Sequence, residues 1–212
     1  MTAGVAASQR RDHGAPGKVI RWIRRRRPFL TAIFVAAVLV LAWFGPAMPS
    51  DLIHPRLDPA FLLPWVLMIA GVGIRVWGSG NLRKNQEITS TGIYRMVRHP
   101  LYSGSLAMFL ALFITVGDPL LGAVLFTAMV VLVYYPTMLD EEAYLQNKFP
   151  HQTAAYARLP RLIPSLRRLP EALRTDRFTL QAAYGNLGLR SVGFLVALPS
   201  LLELLRWLKG SR

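Results

Sequence analysis

Charge-free runs organise this chain. Pro28 to Ser50 contains no Asp, Glu, Lys or Arg, and a helix that crosses a bilayer needs about 20 apolar residues. Pro28 is acceptable at a helix start, and Gly45-Pro46 closes the apolar part. A second span runs from Pro59 to Ile74 and continues toward Trp77, with the long Arg75 stem expected to snorkel to the interface. Leu101 to Val116 and Pro119 to Leu139 are separated only by Gly117-Asp118. That spacing predicts a tight helical hairpin with Pro119 at the first position of its second helix.

The last apolar piece is shorter, because Pro199 and Glu203 interrupt the run that begins at Ser191. It fits an interfacial or re-entrant helix as well as a fifth span. At about 100° per residue, Leu198, Leu201, Leu204, Leu205 and Leu208 share one arc, opposite Ser200, Glu203, Arg206 and Lys209. That arc favours a helix lying at the membrane surface. The expected fold is all-α, a polytopic transmembrane bundle of four or five spans whose cytoplasmic loops cover a pocket.

Composition agrees, with 53% hydrophobic and only 17% charged residues. One domain is expected, comprising a basic arm over 1–27, a transmembrane core over 28–164 and a helical extension over 165–212. The net charge of +14 raises the question of nucleic acid. The arm, the loop from Asn81 to Pro100 and the stretch from Met138 to Arg190 carry eight, four and eight of the 25 Lys and Arg. Alternating spans put all three on one side, which is the positive-inside pattern. The N-terminus and the loop after the second span are therefore expected in the cytoplasm, and no nucleic-acid partner is implied. The arm also suits anionic head groups, and it lacks the uncharged core of a signal peptide. With no cysteine, disulfides, thiolate catalysis and thiolate metal sites are excluded.

Two polar knots adjoin the hairpin. Arg98-His99-Pro100 opens its first helix and Asp140-Glu141-Glu142 closes the apolar part of its second, so a hairpin returns both to one face. Carboxylates beside a bilayer are costly, and a helix ending there would disfavour them further. They need a cation. Arg95 or Arg98 could supply it structurally, and a cofactor's ammonium or ribose hydroxyls could satisfy it functionally. His13, His54 and His151 fit no close metal-ligand spacing, and no metal is expected. Tyr134, Tyr135, Trp43, Trp65, Trp77 and Trp207 lie near span ends as an aromatic belt would. Gly71-Val-Gly73 reads as a close helix-packing site.

Gly71-Val-Gly73-Ile-Arg-Val-Trp, Gly92-Ile-Tyr-Arg-Met-Val-Arg98-His99-Pro100-Leu-Tyr102-Ser-Gly104, Glu141-Glu142 and Leu159-Pro160-Arg161-Leu-Ile-Pro164 occur in that order. With Phe149 and Tyr156, the series resembles the isoprenylcysteine carboxyl methyltransferase family over Trp65 to Pro164. The resemblance implies a membrane-embedded enzyme that uses S-adenosylmethionine, with a lipophilic or prenylated acceptor entering from the bilayer. By that resemblance His99, Tyr102, Gly104, Glu141, Glu142, Leu159 and Pro160 bind the cofactor. Arg98, Arg161 and Glu142 are the catalytic candidates, the arginines through anion contacts. Pro150 stands where the family usually has glycine and Thr153 where it often has tyrosine, departures that bear on the cofactor lid.

Methyl transfer from a sulfonium is an in-line displacement, so alignment and water exclusion are the main demands. A carboxylate acceptor needs no general base, whereas an amine or thiol would ask His99 or a carboxylate to take a proton. Phospholipid N-methyltransferases are similar in having a glycine pair followed by paired glutamates. Membrane sterol and steroid reductases share an Arg-His-Pro-x-Tyr pattern, which would make the cofactor NADPH. A non-enzymatic membrane scaffold is the third class, but it gives His99, Glu141 and Glu142 no reason to gather.

Overall fold

The computed structural model describes residues 17–84, 86–116, 118–186 and 188–210. Arg10, Arg11 and His13 lie outside the described residues. Every regular element among those described is helical. Helix α1 is Lys18–Phe44, α2 is Pro59–Asn81 and α3 is Pro100–Thr115. Helix α4 runs over Pro119–Lys148, with a π-helical stretch at Val130–Tyr134. Three short helices follow, α5 at Thr153–Tyr156, α6 at Leu169–Arg174 and α7 at Leu180–Gly185. Helix α8, Phe194–Gly210, is continuous with a 3-10 turn at Leu189–Gly193. Four helices are long and apolar enough to cross a membrane, namely α1, α2, α4 and Leu189–Gly210.

Local chemistry explains most boundaries. Asp58 caps α2 by accepting from Phe61 N at 2.8 Å, with Pro59 at the first helical position. Asp118 caps α4 by accepting from Leu120 N and Leu121 N at 2.9 and 3.1 Å, which is the hairpin entry that Pro119 predicts. These bonds satisfy amide groups that a helix start leaves without partners. Helix α1 begins ten residues before Pro28, so that proline sits inside the helix instead of at its start. Helix α4 continues past Glu142 to Lys148, so the paired glutamates do not stand at a helix end. Tyr135 N bonds to Val130 O, one residue wider than the α pattern, and Pro136 has no N–H to offer. The π turn thus sits beside a proline that already breaks the ladder.

Helix α3 is the centre of the bundle. At 16 residues it is about 24 Å long, shorter than a bilayer core, but α2 and α4 enclose it. A Cβ on Gly71 would meet Gly104 O at 2.7 Å, and one on Gly104 would meet Gly71 O at 2.5 Å. Glycine is required on both sides for the α2 and α3 backbones to approach this closely. Phe113, Met68, Met129 and Met138 fill the core around the crossing. Phe44, Val66, Ile69, Val124, Leu132 and Val196 stay exposed, as lipid-facing side chains should. Arg75 does not snorkel: its Nη1 donates to Leu101 O at 3.3 Å and to Ser105 Oγ on α3. Tyr134 likewise leaves the expected aromatic belt, buried beside Tyr102 and Phe109 at ring separations of 5.9 and 6.4 Å.

The C-terminal helix differs most from its sequence expectation. Its start lies at the inner end of α2, where a Cβ on Gly188 would collide with the Ser79 side chain. Its finish lies at the opposite end of the bundle. There Lys209 Nζ donates to the carbonyls of Ala42, Gly45 and Ala47 at 2.7 to 2.8 Å. Arg206 reaches Asp51 at 3.6 Å in the loop between α1 and α2. Leu189–Gly210 therefore runs the length of the bundle as a fifth span and does not lie on its surface. The polar arc that suggested an interfacial helix closes the end of α1, where a cation meets exposed carbonyls and the negative end of the helix dipole.

A second polar knot fixes the inner end of α2. Asn81 is fully buried and donates to Trp77 O at 3.1 Å and Asp176 Oδ1 at 2.6 Å. It accepts from Thr91 Oγ1 at 3.3 Å and Arg177 N at 2.9 Å. Gly92 packs on this amide at φ +54°, in the left-handed region, where any Cβ would stand 2.6 Å from Asn81 Nδ2.

Two outcomes test this architecture. With single cysteines at Gly210, Arg56 and Ser90, an impermeant reagent should label Gly210→Cys and Arg56→Cys from one side and Ser90→Cys from the other. Labelling of Gly210→Cys with Ser90→Cys would restore the surface-lying helix. Gly92→Ala should lower stability by about 1–3 kcal/mol from backbone strain and the clash with Asn81. A wild-type melting temperature in detergent would show that the knot yields without cost.

Candidate functional site

The two polar knots and the Leu159 to Pro164 segment meet at the N-terminal end of α3 and the C-terminal end of α4. Helix α3 starts at Pro100, so His99 is its N-cap residue and points across to the last turns of α4. Its imidazole is 3% exposed. His99 Nε2 lies 3.1 Å from Glu142 Oε1, and a proton on that nitrogen is donated to the carboxylate. Arg98 Nη1 donates to the same oxygen at 3.2 Å. Arg161 makes a fork, Nε to Oε1 at 3.0 Å and Nη2 to Oε2 at 3.1 Å. One half-buried carboxylate thus collects two guanidiniums and an imidazole. The hydrogen bonds that Arg161 donates to Glu142 raise its pKa, so the guanidinium stays charged.

The segment 157–165 is laced to the His99 loop by backbone bonds. Arg98 N donates to Pro160 O at 2.9 Å, His99 N to Arg161 O at 3.2 Å and Ser165 N to Met96 O at 3.0 Å. Arg98 Nε adds a bond to Leu159 O at 2.6 Å, and Ser103 Oγ donates to Leu162 O. Leu159 and Pro160 therefore reach the cluster through their carbonyls. A cover over His99 and Glu142 results, with the α5 ring Tyr156 at its edge. The Tyr156 hydroxyl lies 3.4 Å from His99 Nε2, and burial pushes its pKa up, so the phenol stays protonated.

Aromatic rings and partly exposed charges complete the arrangement. Tyr102 stacks on His99 at 5.5 Å, and Arg27 of α1 lies 5.0 Å over the Tyr102 ring. Glu141 is turned outward, 41% exposed, with its carboxylate 3.8 Å from His99 Nδ1. Arg161 also keeps 41% exposure and lies 5.7 Å over the ring of Tyr135, next to lipid-facing Val131 and Leu132. The cluster can therefore hold an anion through arginine, a cation through Glu141 and the π faces, and a proton on His99.

Of the residues the sequence singles out, Arg98, His99, Tyr102, Glu141, Glu142, Leu159, Pro160 and Arg161 are brought together. Gly104 is not among them, since its neighbours are Gly71 and Arg75 at the helix crossing. Arg95 turns away and pairs with Glu171 at 3.2 Å. Arg24 and Arg27 are the residues that sequence reasoning missed. Arg24 Nε stands 2.7 Å from the buried carboxylate of Asp140, so part of the basic arm forms a wall of the site and is not spent wholly on head groups. A helical step of three places both arginines on one face of α1, and that was the available signal.

Residues 64–152 match the model of the phospholipid methyltransferase family. The match contains Arg98, His99, Tyr102, Glu141 and Glu142 and ends just before Leu159, Pro160 and Arg161. The cobalt-zinc-cadmium resistance protein CzcN of Cupriavidus metallidurans is 27% identical over 154 residues, covering 68% of this chain and 67% of that protein. The nickel-cobalt-cadmium resistance protein NccN of Alcaligenes xylosoxydans xylosoxydans is 26% identical over 161 residues, covering 72% and 71%. No solved structure matches the chain. Across the stretch that holds the polar cluster, the chain is similar to membrane phospholipid methyltransferases, a neighbouring group to the carboxyl methyltransferases named above.

Proposed function

We propose that the chain is an integral-membrane, S-adenosylmethionine-dependent methyltransferase acting on a lipophilic acceptor at the His99 end of the bundle. One observation carries the reading: Arg98, His99 and Arg161 converge on Glu142 beneath the 157–165 cover, within and just beyond the stretch similar to phospholipid methyltransferases. The basic segments at this end support a cytoplasmic placement. The two metal-resistance relatives suggest a shared physiological setting. Among the described residues no group of three or more His, Cys, Asp or Glu could hold a metal ion, so a role in such resistance would act through methylation of a membrane component.

The residues present fit the cofactor. Glu141 has a partly exposed carboxylate for the ammonium, and the Tyr156 ring at the edge of the cover can lie against a sulfonium. Leu159 and Pro160 would close over it. When bound, S-adenosylmethionine supplies an electrophilic methyl group on a sulfonium.

Everything else falls to the chain itself. Exposed Val131, Leu132 and Tyr135 give an acceptor's tail an apolar approach, and Arg161 beside them can hold its anionic group. Arg27 closes the site from α1. If the acceptor is a carboxylate, as in carboxyl O-methylation, the arginines align it and no proton moves. A phospholipid amine must shed a proton, and His99, held by Glu142 at 3.1 Å, is the side chain at this site with the chemistry to take it. The phospholipid reading is favoured by the family match, and the carboxylate reading by the exposed side of Arg161 beside Tyr135.

Two measurements test the proposal. By calorimetry, His99→Ala and Glu142→Gln should each weaken S-adenosylmethionine binding by about 1–3 kcal/mol. Wild-type affinity in both folded variants would remove these residues from the cofactor site. Transfer of a labelled methyl group should then be compared between N-acetyl-farnesylcysteine and phosphatidylethanolamine. Base-labile product on the prenylcysteine, lost in Arg161→Ala or Arg98→Ala, establishes carboxyl methylation. Base-stable product on the lipid amine, lost in His99→Gln, rejects it in favour of N-methylation.

A further inference from the structure

A second polar cleft lies at the same end of the bundle, on the other side of the Gly92–Arg95 turn. It measures about 420 Å³, with Ser90, Thr91 and Arg95 on one wall and Arg174, Thr175 and Arg177 on the other. We propose that this cleft binds a phosphodiester anion of the kind carried by lipid head groups. The inference stands independently of the methyltransferase reading.

The donors are uncommitted. Neither the Arg174 nor the Arg177 guanidinium has a hydrogen bond or ion pair with any described residue. Arg95 Nη1 pairs with Glu171 at 3.2 Å, but its Nε is buried and has no partner. Three guanidinium forks around one small volume match the tetrahedral oxygens of a phosphate, which accept planar, paired donors.

The frame is rigid before any ligand arrives. Asp176 lines the cleft, yet its carboxylate is spent on Asn81 Nδ2 at 2.6 Å and Trp77 Nε1 at 3.1 Å. Asn81 in turn holds Thr91 and the Arg177 backbone, so both walls hang from one fully buried amide at the end of α2. Glu87 is the other carboxylate in the lining. Its charge, with that of Asp176, disfavours a dense polyanion and leaves a singly charged diester as the better match. Glu87 can accept from a head-group hydroxyl. Helix α2, long and apolar enough to cross a membrane, ends here, which would put the cleft near the level of lipid phosphates.

Native mass spectrometry of the detergent-solubilised full chain, with added phosphatidylglycerol or phosphatidylcholine, reads lipid retention directly. Calorimetry with glycerophosphoglycerol tests a soluble source of the same diester. Wild type should retain phosphatidylglycerol preferentially, with at least a tenfold loss in Arg174→Ala/Arg177→Ala. Arg167→Ala/Arg168→Ala, which changes basic residues outside the cleft, should retain it. Binding of the soluble diester with the same variant pattern would keep the site and assign it a soluble ligand. Equal binding by wild type and the Arg174/Arg177 variant in both arms, or an equal loss in the Arg167/Arg168 variant, would overturn the proposal. Circular dichroism of each variant separates lost binding from lost fold.

Discussion

The Glu142 carboxylate is the interaction on which this end of the protein depends. A lone carboxylate at a bilayer surface beneath a protein cover would be expensive, and removing its partners would leave that cost exposed. Here the cost is offset by two guanidiniums and an imidazole drawn from two distant segments, Arg98 and His99 before α3 and Arg161 after α5. The carboxylate fastens the inner end of α4 to both. Because Arg98 also bonds the carbonyls of Leu159 and Ala157, the cover cannot lift without disturbing the same guanidinium that neutralises Glu142. Charge neutralisation and closure are one event.

That arrangement requires α4 to present Glu142 at the right angle, and packing within the membrane sets it. The Gly71 and Gly104 contact lets α2 and α3 approach until their backbones touch. Gly122 does the same for the hairpin, where a Cβ would collide with Phe113 O. The π turn at Val130–Tyr134 then adds a residue to one turn of α4, rotating everything beyond it by about 100° relative to an uninterrupted helix. Asp140 consequently faces Arg24 of α1 while Glu142 faces His99. A proline that seems to weaken the helix is thereby the feature that aims its carboxylates.

Much of this was legible in the residues. Charge-free length identifies the first four spans, and Asp118-Pro119 marks the hairpin because capping is local chemistry. The meeting of His99 with Glu142 followed from topology alone, since a hairpin must return its ends to one face. Partner choice over long distances was not legible. Arg75 could have snorkelled, and only the position of Ser105 on α3 decides that it turns inward. Lys209 belongs to an arc that reads equally well as facing water, since periodicity identifies a polar face without naming what covers it. Asn81 and Asp176 lie far apart in sequence and carry no shared motif, so their bond is visible only in the fold.

Methyl transfer also explains why so small a polar inventory could suffice. The proposed donor already carries a good leaving group, so the protein need not activate the methyl group itself. What remains is to hold two molecules in line and keep water away. His99 and the two arginines are ordered by one carboxylate, so a single anchoring point orients the whole constellation and little entropy is left to lose on binding. The same economy leaves the acceptor open. The exposed side of Arg161 beside Tyr135 suits a carboxylate or a phosphate alike, and whether a proton must leave is decided by the acceptor atom. An amine acceptor would in addition need His99 within reach of its nitrogen, and the helix phase that the π turn imposes on α4 aims the Glu142 carboxylate that holds His99 in place.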